Sequence, residues 1–400
     1  MGIHLWMSLA WIYGMQIFFS PISAHFGWSH TAMAGAFSLQ RLEGSIASPV
    51  EGFLVDRFGP RKLILAGGLI SGSGLIFLSF IQTISMFYAS VLLVSLGMSA
   101  SVGIPRTWSI VHWFRRLRGR ALGIGSSGAV VSGPLLIIVV WLINTLGWQN
   151  AFVVLGIATW VICIPLGLVF RSRPQELGYL PDGDFENLNA DASSTQAEAK
   201  KPLTDNSFSV RQALRSQMFW LMTLVFSLQT MGISGMMVFL VPYFEGPDVG
   251  FSTAQAASVL GVFTLLSVFG RLGTGWAMDY WSQRIVLITL LACQATAFLL
   301  LANITDYWQI FPFAFLYGTA FGGMMPSRGF MVSSLFGIRN FGTIQGLMQS
   351  GTVIGGLIAP LLMGRSFDVT NSYVPAIYML GGVAVLAIPI VLLLRPTRHE

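Results

Sequence analysis

Four arginines stand inside long apolar stretches of this 400-residue chain. Arg271 is the clearest, because it lies eight residues before Asp279 in the Gly275-x-x-x-Asp279 motif that ends its stretch. At about 1.5 Å per helical residue, its guanidinium starts roughly 12 Å inside that end. An unpaired arginine at such depth costs about 2.5 kcal/mol or more, and usually faces a cavity, a partner or a ligand. No acid lies three or four residues away, so its partner must come from elsewhere.

A carboxylate substrate suits Arg271, because a guanidinium binds a carboxylate through two parallel hydrogen bonds. The alternative is a structural ion pair with another helix. Arg106 and Arg328 each lie about eight residues before the end of their own stretch, close behind Pro105 and Pro326. Both are candidates for lining a cavity, and structural pairing is the reading we prefer for these two.

Two glutamates occupy the apolar stretch at 32–55. Glu43 and Glu51 are eight residues apart and therefore share a helical face, whereas Arg41 points elsewhere. A protonatable acid in a membrane helix is a proton-relay hypothesis, and we predict Glu43 for that role. The alternative is a neutral or paired glutamate that locks its helix to another. Glu51 lies one turn from Asp56 and is expected to support the loop motif there.

Uncharged polar side chains in the apolar stretches are further candidates for binding a carboxylate or hydroxyl. Hydrogen bonding between helices is the alternative for each of them. The candidates are Tyr13, Gln16, Gln229, Thr230, Tyr317 and Gln349.

The composition predicts an all-α integral membrane protein. The chain is 54% hydrophobic and only 10% charged, with a mean hydropathy of +0.71, whereas about a quarter of a soluble domain is charged. The net charge of +6 lies in short loops and is attributed to topology, not to nucleic-acid binding. There is no Walker loop and no catalytic or metal-binding set, so we expect neither an enzyme nor a cofactor.

Twelve apolar runs are long enough to cross a membrane. They are numbered here as spans 1 to 12. A polar linker at 172–216 separates a half at 1–171 from a half at 217–400, and its middle is expected to be flexible. The runs fall at 2–23, 32–55, 62–84, 86–112, 120–143, 149–171, 217–241, 254–278, 285–304, 309–333, 342–364 and 373–395.

Lysines and arginines set the predicted orientation. Seventeen lie on one side of the spans, whereas the other side carries only Arg365. The positive-inside rule therefore places both termini and the linker in the cytoplasm. We expect a multi-pass protein of the cell (inner) membrane, and a monomer.

The two halves repeat each other. Corresponding residues are 222 or 223 positions apart, and the two halves are expected to flank a cavity near the membrane midplane, as in one large class of secondary transporters. The charged residues at the predicted cytoplasmic ends, Asp56, Arg57, Arg61 and Asp279, are expected to act as a gate. The matching pairs are Gly52 and Gly275, Asp56 and Asp279, Arg106 and Arg328, and Gly128 and Gly351.

The loop GFLVDRFGPR at 52–61, with its weaker copy after span 8, resembles the signature loop of the major facilitator superfamily. A narrower resemblance is to the monocarboxylate transporters and the oxalate/formate antiporter group. It rests on YG (13–14), FF (18–19), FGWS (26–29), WFRRLRGRA (113–121), GW (147–148), RPQELGYLPDG (173–183) and FG (341–342).

This resemblance implies an organic-anion anchor in span 8, where Arg271 stands, and favours Tyr317 in span 10 beside it. This chain lacks three charged residues of these groups. Proton-coupled animal members carry an aspartate where this chain has Ser267, and a lysine in span 1, where this chain has no charge. Oxalate antiporters carry a lysine in span 11, which this chain lacks. A monocarboxylate is therefore expected rather than a dianion.

Together these features predict a secondary transporter of small organic anions, of the lactate and pyruvate type, working by alternating access with proton coupling. Its partners would be the anion, a proton or counter-anion, and the lipid bilayer. The alternatives are an organic-anion exchanger of the oxalate/formate type, a facilitator transporter of another small solute, and a membrane sensor without flux.

Overall fold

The computed structural model describes residues 1–28, 30–183 and 207–394, which are helical with no strand among them. Nine of their helices are long and apolar enough to cross a membrane. One of the nine, Arg118–Val169, contains two spans, because Gly147 (φ 76°) breaks it. His30–Phe58 and Ile310–Phe336, with 29 and 27 residues, are also long enough to cross. The predicted twelve spans are confirmed.

Several helices continue past the apolar runs that predict them, whereas the helix of span 3 ends at Ser79, short of the predicted 84. Span 11, for example, was expected to end at 364 and reaches Thr370, because backbone hydrogen bonding continues after the hydrophobic pattern stops. Spans 1 to 6 are Gly2–Phe26, His30–Phe58, Pro60–Ser79, Ile84–Trp113 and the parts of Arg118–Val169 before and after Gly147. Spans 7 to 12 are Gln217–Glu245, Thr253–Tyr280, Gln283–Leu301, Ile310–Phe336, Phe341–Thr370 and Val374–Leu393.

Two spans that carry candidate site residues are interrupted. In span 1, Ser8–Ile12 is a π-helical turn, and the Tyr13 N–H donates to the Ser8 carbonyl over 3.0 Å. Span 4 breaks at Gly103, between Ile84–Val102 and Ile104–Trp113. Such breaks redirect the side chains on either side of them. They therefore decide which residues of spans 1 and 4 face the middle of the molecule.

The middle of the predicted linker, including NLNADASSTQAEAKK at 187–201, lies outside the described residues. The end of the linker forms a short helix, Val210–Arg215, which begins with a reciprocal capping box between Ser209 and Gln212. This segment is tied to the second half by the Phe208 N–H, which donates to the Phe336 carbonyl over 2.9 Å. The exact boundaries at 171 and 217 stay a prediction.

Glycines allow close packing within each half. A Cβ added to Gly270 in span 8 would collide with the backbone of Thr319 in span 10, whereas one added to Gly273 would meet open space. Spans 8 and 10 thus approach until their backbones touch, the arrangement that small residues permit in membrane helices. The close pairing fixes the rotation of span 8, and with it the direction of Arg271.

This packing predicts different effects for two alanine substitutions in the same helix. Gly270→Ala should lower the free energy of unfolding by about 1–3 kcal/mol, because the methyl group overpacks the contact between spans 8 and 10. Gly273→Ala is the matched control and should be neutral or slightly stabilising. Thermal melting of the purified protein in detergent measures both. Equal melting temperatures for the two variants would contradict the prediction.

Candidate anion-binding site between the halves

Arg271 is buried and reaches from the second half to the first. Its side chain is 3% exposed, and its NH1 group donates to the Ser126 carbonyl of span 5 over 2.7 Å. The guanidinium carbon lies 5.7 Å from the ring centroid of Phe321 in span 10. The Arg271 Nε has no hydrogen-bond partner, and within the described residues the side chain forms no ion pair. Donor capacity and positive charge are therefore left for a ligand.

Arg106 of span 4 lies beside it. Its NH1 group donates to the Gly125 carbonyl over 3.2 Å and lies 2.5 Å from Nδ1 of His4 in span 1. Gly125 directly precedes Ser126, so two guanidiniums, one from each half, rest against consecutive carbonyls of span 5. The two arginines interact electrostatically. A second basic group therefore exists, but it comes from span 4 and not from span 11.

Tyr13 is the third predicted residue near this place. It follows the π-helical turn of span 1, is half-buried and lies close enough to Arg271 for electrostatic interaction. Arg271, Arg106 and Tyr13 are thus the predicted site residues that the structure brings together. Sequence analysis missed His4 and the two span 5 carbonyls. Only the presence of a histidine within an apolar run could have drawn attention to His4.

Arg328 is the repeat mate of Arg106, but its surroundings differ. Its NH2 group lies 3.4 Å from the Thr230 hydroxyl, and its guanidinium carbon lies 5.3 Å from the ring centroid of Phe226. Both contacts are with span 7, in its own half. The structure does not bring Arg328 to Arg271, and its substrate role stays a prediction.

Tyr317 and Gln349 make no described contact with the arginine pair. Tyr317 is fully buried, its hydroxyl donates to the Ile233 carbonyl over 3.3 Å, and its ring stacks on Phe313. Gln349 is half-buried in span 11. Tyr317 therefore links spans 7 and 10 in this conformation, which is the interhelical alternative considered for such residues.

Glu43 and Glu51 both face span 4. One oxygen of each carboxyl accepts a hydrogen bond over 2.8 Å, from Ser95 and from Ser99 respectively, and the other oxygen is buried without a partner. They lie in an apolar groove of about 830 Å³ between spans 2, 3 and 4. Arg41 is exposed. Glu43 thus lies against span 4, away from the contacts of the two arginines.

Asp56 connects the halves at the predicted cytoplasmic end. Its carboxylate accepts hydrogen bonds from the Gly342 N–H over 2.9 Å and from the Thr343 N–H over 2.8 Å, at the start of span 11. The Trp108 indole donates to it over 2.9 Å. A carboxylate at a helix N-terminus satisfies free N–H groups and complements the helix dipole.

Asp279 makes the same contact in the opposite direction. It accepts from the Gly119 N–H over 2.6 Å and from the Arg120 N–H over 3.0 Å, at the start of span 5. Gly119 and Gly342 are themselves 223 residues apart, so the repeat extends to both partners. Each half therefore caps a helix of the other half, and the protein is closed on this side.

The two arginines of the predicted gate take no comparable part. Arg57 is exposed, and its guanidinium carbon lies 5.5 Å from the ring centroid of Phe58. Arg61 is half-buried and forms no ion pair within the described residues. The structure thus brings Asp56 and Asp279 to the opposite half, but not Arg57 or Arg61.

The chain matches a family model described as the Major Facilitator Superfamily over residues 6–304 and 248–400. The chain belongs to the major facilitator superfamily. It is therefore a multi-pass membrane transporter of small solutes and not an enzyme.

Named relatives cover nearly the whole chain. Human monocarboxylate transporter 2 is 24% identical over 400 residues, which cover 98% of this chain and 83% of the relative. Monocarboxylate transporter 4 of Gallus gallus is 26% identical, and the match covers 97% of this chain and 79% of the relative. An uncharacterised transporter of the superfamily from Bacillus subtilis is 24% identical, and the match covers 90% of this chain and 84% of the relative. The resemblance to monocarboxylate transporters is confirmed at low identity.

Solved structures share the fold. The human organic anion transporter MFSD10 superposes with a TM-score of 0.76 at 14% identity, over 97% of both chains. The Escherichia coli fucose:proton symporter superposes with a TM-score of 0.71 at 14% identity, over 99% of this chain and 97% of the symporter. At such identities the likeness shows the fold alone: two pseudo-symmetric six-helix halves.

The capping contacts predict how the closed side responds to mutation. Asp56→Ala or Asp279→Ala should weaken closure by about 1.5–3 kcal/mol, because each removes charge-assisted bonds between the halves. This corresponds to roughly a tenfold or larger shift of population. Spin labels at positions 62 and 282, in a background without Cys163 and Cys293, should report a longer distance by pulsed electron resonance.

Asp182→Ala is the matched control, because this linker carboxylate accepts from the N–H groups of Arg115, Arg116 and Leu117 of the first half, and not from N–H groups of the second. It should leave the distance distribution between the labels unchanged. Unaltered distributions in both gate variants would show that the capping contacts do not hold this side closed.

Proposed function

We propose that this chain transports small organic anions, in the first place monocarboxylates of the lactate and pyruvate type, by alternating access. The observation that carries the proposal is the pair of guanidiniums, Arg271 and Arg106, which come from opposite halves and have no acidic partner among the described residues. A buried pair of like charges needs a counter-charge, and an organic anion supplies it. The names of the monocarboxylate transporter relatives and of the organic anion transporter with the same fold support this substrate class.

Arg271 is the proposed anchor of the carboxylate. Its NH1 group is bonded to a neutral carbonyl, Ser126, and its Nε is free. A carboxylate forms shorter and stronger charge-assisted bonds than a carbonyl does, so it competes well for this donor. Because the contact between Arg271 and Ser126 joins the two halves, an anion that takes over the donor also weakens that contact. Binding and rocking of the halves are thereby linked.

A second candidate function is organic-anion exchange of the oxalate/formate type. The specific observation in its favour is the position of Arg106 beside Arg271, because two adjacent guanidiniums can hold the two ends of a dianion. We rank it second, because the named relatives are monocarboxylate transporters. Exchange would be recognised by uptake that requires an internal anion and ignores the pH gradient.

The remaining features of the proposal concern topology and coupling. We propose a location in the cell (inner) membrane, with the linker and both termini in the cytoplasm, and a monomer in which 1–171 rocks against 217–400. Asp56 and Asp279 would form the gate on the cytoplasmic side. Proton coupling through Glu43 and substrate contacts by Arg328, Tyr317 and Gln349 remain predictions.

The anchor role of Arg271 is tested by transport. Arg271→Ala should lower kcat/KM for uptake of labelled lactate into proteoliposomes by about 10- to 100-fold or more, because it removes a charged hydrogen-bond donor worth about 1.5–3 kcal/mol. Arg271→Lys should retain part of the activity, since it keeps the charge but loses the bidentate geometry. Arg365→Ala, at an exposed arginine of span 11, is the control and should transport normally. Full uptake by Arg271→Ala would remove this residue from the site.

The predicted role of Glu43 requires a separate measurement. If Glu43 carries the coupled proton, Glu43→Gln should abolish accumulation of lactate driven by an inward proton gradient, while lactate–lactate exchange continues. The amide is similar in size and can still accept from Ser95, so the contact between spans 2 and 4 is kept. Normal accumulation by Glu43→Gln would restrict this glutamate to a structural role.

A further inference from the structure

His4 lies against Arg106 in the arginine site and is 8% exposed. Its Nδ1 lies 2.5 Å from the Arg106 NH1 group and 3.3 Å from the Gly125 carbonyl oxygen. A guanidinium can only donate hydrogen bonds, so Nδ1 must be the acceptor. From the shorter of the two contacts we assign the neutral imidazole with its proton on Nε2, so that Nδ1 and the Gly125 carbonyl share the Arg106 NH1 donor.

The charged groups around His4 are all basic. Arg106 of span 4, Arg271 of span 8 and, from its own helix, the Met1 amino group interact with it electrostatically. Span 5 contributes the carbonyls of Gly125 and Ser126. The start of span 1 otherwise packs on apolar side chains of spans 3, 4 and 6: Ile64, Val102 and Cys163. No described acid faces His4.

These surroundings make protonation of His4 depend on an anion. A proton on Nδ1 would remove the acceptor that holds Arg106 and would add a third positive charge beside the two guanidiniums. A carboxylate bound to Arg271 offsets that repulsion. By thermodynamic linkage, an anion that favours the proton is itself favoured by the proton to the same extent.

We propose that His4 is the site of the co-transported proton, and that protonation of Nδ1 releases Arg106 to the bound anion. The inference rests on the proposed transport of a monocarboxylate. The carboxylate first binds Arg271, and a hydronium ion of the solvent then transfers its proton to Nδ1, which gains an N–H bond while a water molecule is released. The hydrogen bond between Arg106 and His4 breaks, and Arg106 turns its donors to the carboxylate. The anion and the proton then cross the membrane together, and their charges cancel.

His4 fits this role better than Glu43 does. The described contacts of Glu43 lead to Ser95 of span 4, within an apolar groove, whereas His4 is bonded directly to one of the two arginines. A proton on His4 therefore changes the hydrogen bonding of the anion site itself.

The experiment compares His4→Gln with His25→Gln in proteoliposomes and in detergent. Glutamine can accept from Arg106 through its carbonyl oxygen but binds no proton. His4→Gln should accumulate labelled lactate only to a ratio of about one under an inward proton gradient, while lactate–lactate exchange persists. The natural protein should also take up about one proton per lactate bound, as measured with a pH-indicator dye, and His4→Gln should take up none. His25, exposed at the other end of span 1, is the matched control and should be dispensable.

Gradient-driven accumulation by His4→Gln, or proton uptake that persists in it and disappears only in Glu43→Gln, would overturn the proposal. Failure of the proposed function is recognised separately, because the natural protein would then show no lactate exchange at all, and the proton site would fall with it. Should His4→Gln not fold, nitrogen NMR of the histidine-labelled natural protein decides. One imidazole must change from the Nε2–H tautomer to the doubly protonated form when lactate is added, and the absence of that change refutes the proposal.

Discussion

Two capped helix N-termini hold the halves together. In each half, one helix begins with N–H groups that donate to no described residue of their own half, and an aspartate of the other half caps them. The first N–H groups of a helix have no partner within it, and in spans 5 and 11 they find one in Asp279 and Asp56. Along span 8, Asp279, Gly275 and Arg271 follow one another at four-residue intervals and meet span 5 at Gly119, Gly123 and Ser126. The proposed anion site is therefore the inner end of the same contact between spans 5 and 8 that begins at the proposed gate. A movement that separates span 5 from span 8 must alter the contacts at the gate and the contacts of Arg271.

Repeat-related residues make equivalent contacts in the gate, but they have different surroundings at the arginines. Asp56 and Asp279 make equivalent contacts, because the same geometry closes both sides of one pseudo-twofold axis. Arg106 and Arg328 are also repeat mates, yet one lies among His4, Gly125 and Arg271, and the other lies over Phe226. Closure needs two similar contacts, whereas the proposed binding of one small anion would need a single charged centre. The first half supplies Arg106 to this centre, and the second supplies Arg271.

The sequence was sufficient for those features that depend on local pattern. Apolar length predicted the twelve spans, and the 223-residue offset predicted that Asp56 and Asp279 are equivalent. The absence of an acid near Arg271 on its own helix predicted a partner from elsewhere. The association of Arg106 with Arg271 was not predictable, because it depends on how the break at Gly103 turns the end of span 4. The burial of Tyr317 depends likewise on the packing of spans 7 and 10, which no periodicity within span 10 reveals.

The way in which the gate is sealed also bears on the medium in which it works. The Asp279 side chain is only 3% exposed and accepts from two backbone N–H groups, and the Arg120 Nε lies 3.6 Å from its Oδ2 as an added ion pair. Dissolved ions screen exposed charge pairs at distances near the Debye length, about 8 Å at physiological ionic strength, but they have little effect on a buried carboxylate in direct contact with its donors. The hydrogen bonds of this buried carboxylate therefore keep their strength when the ionic strength of the surrounding solution changes.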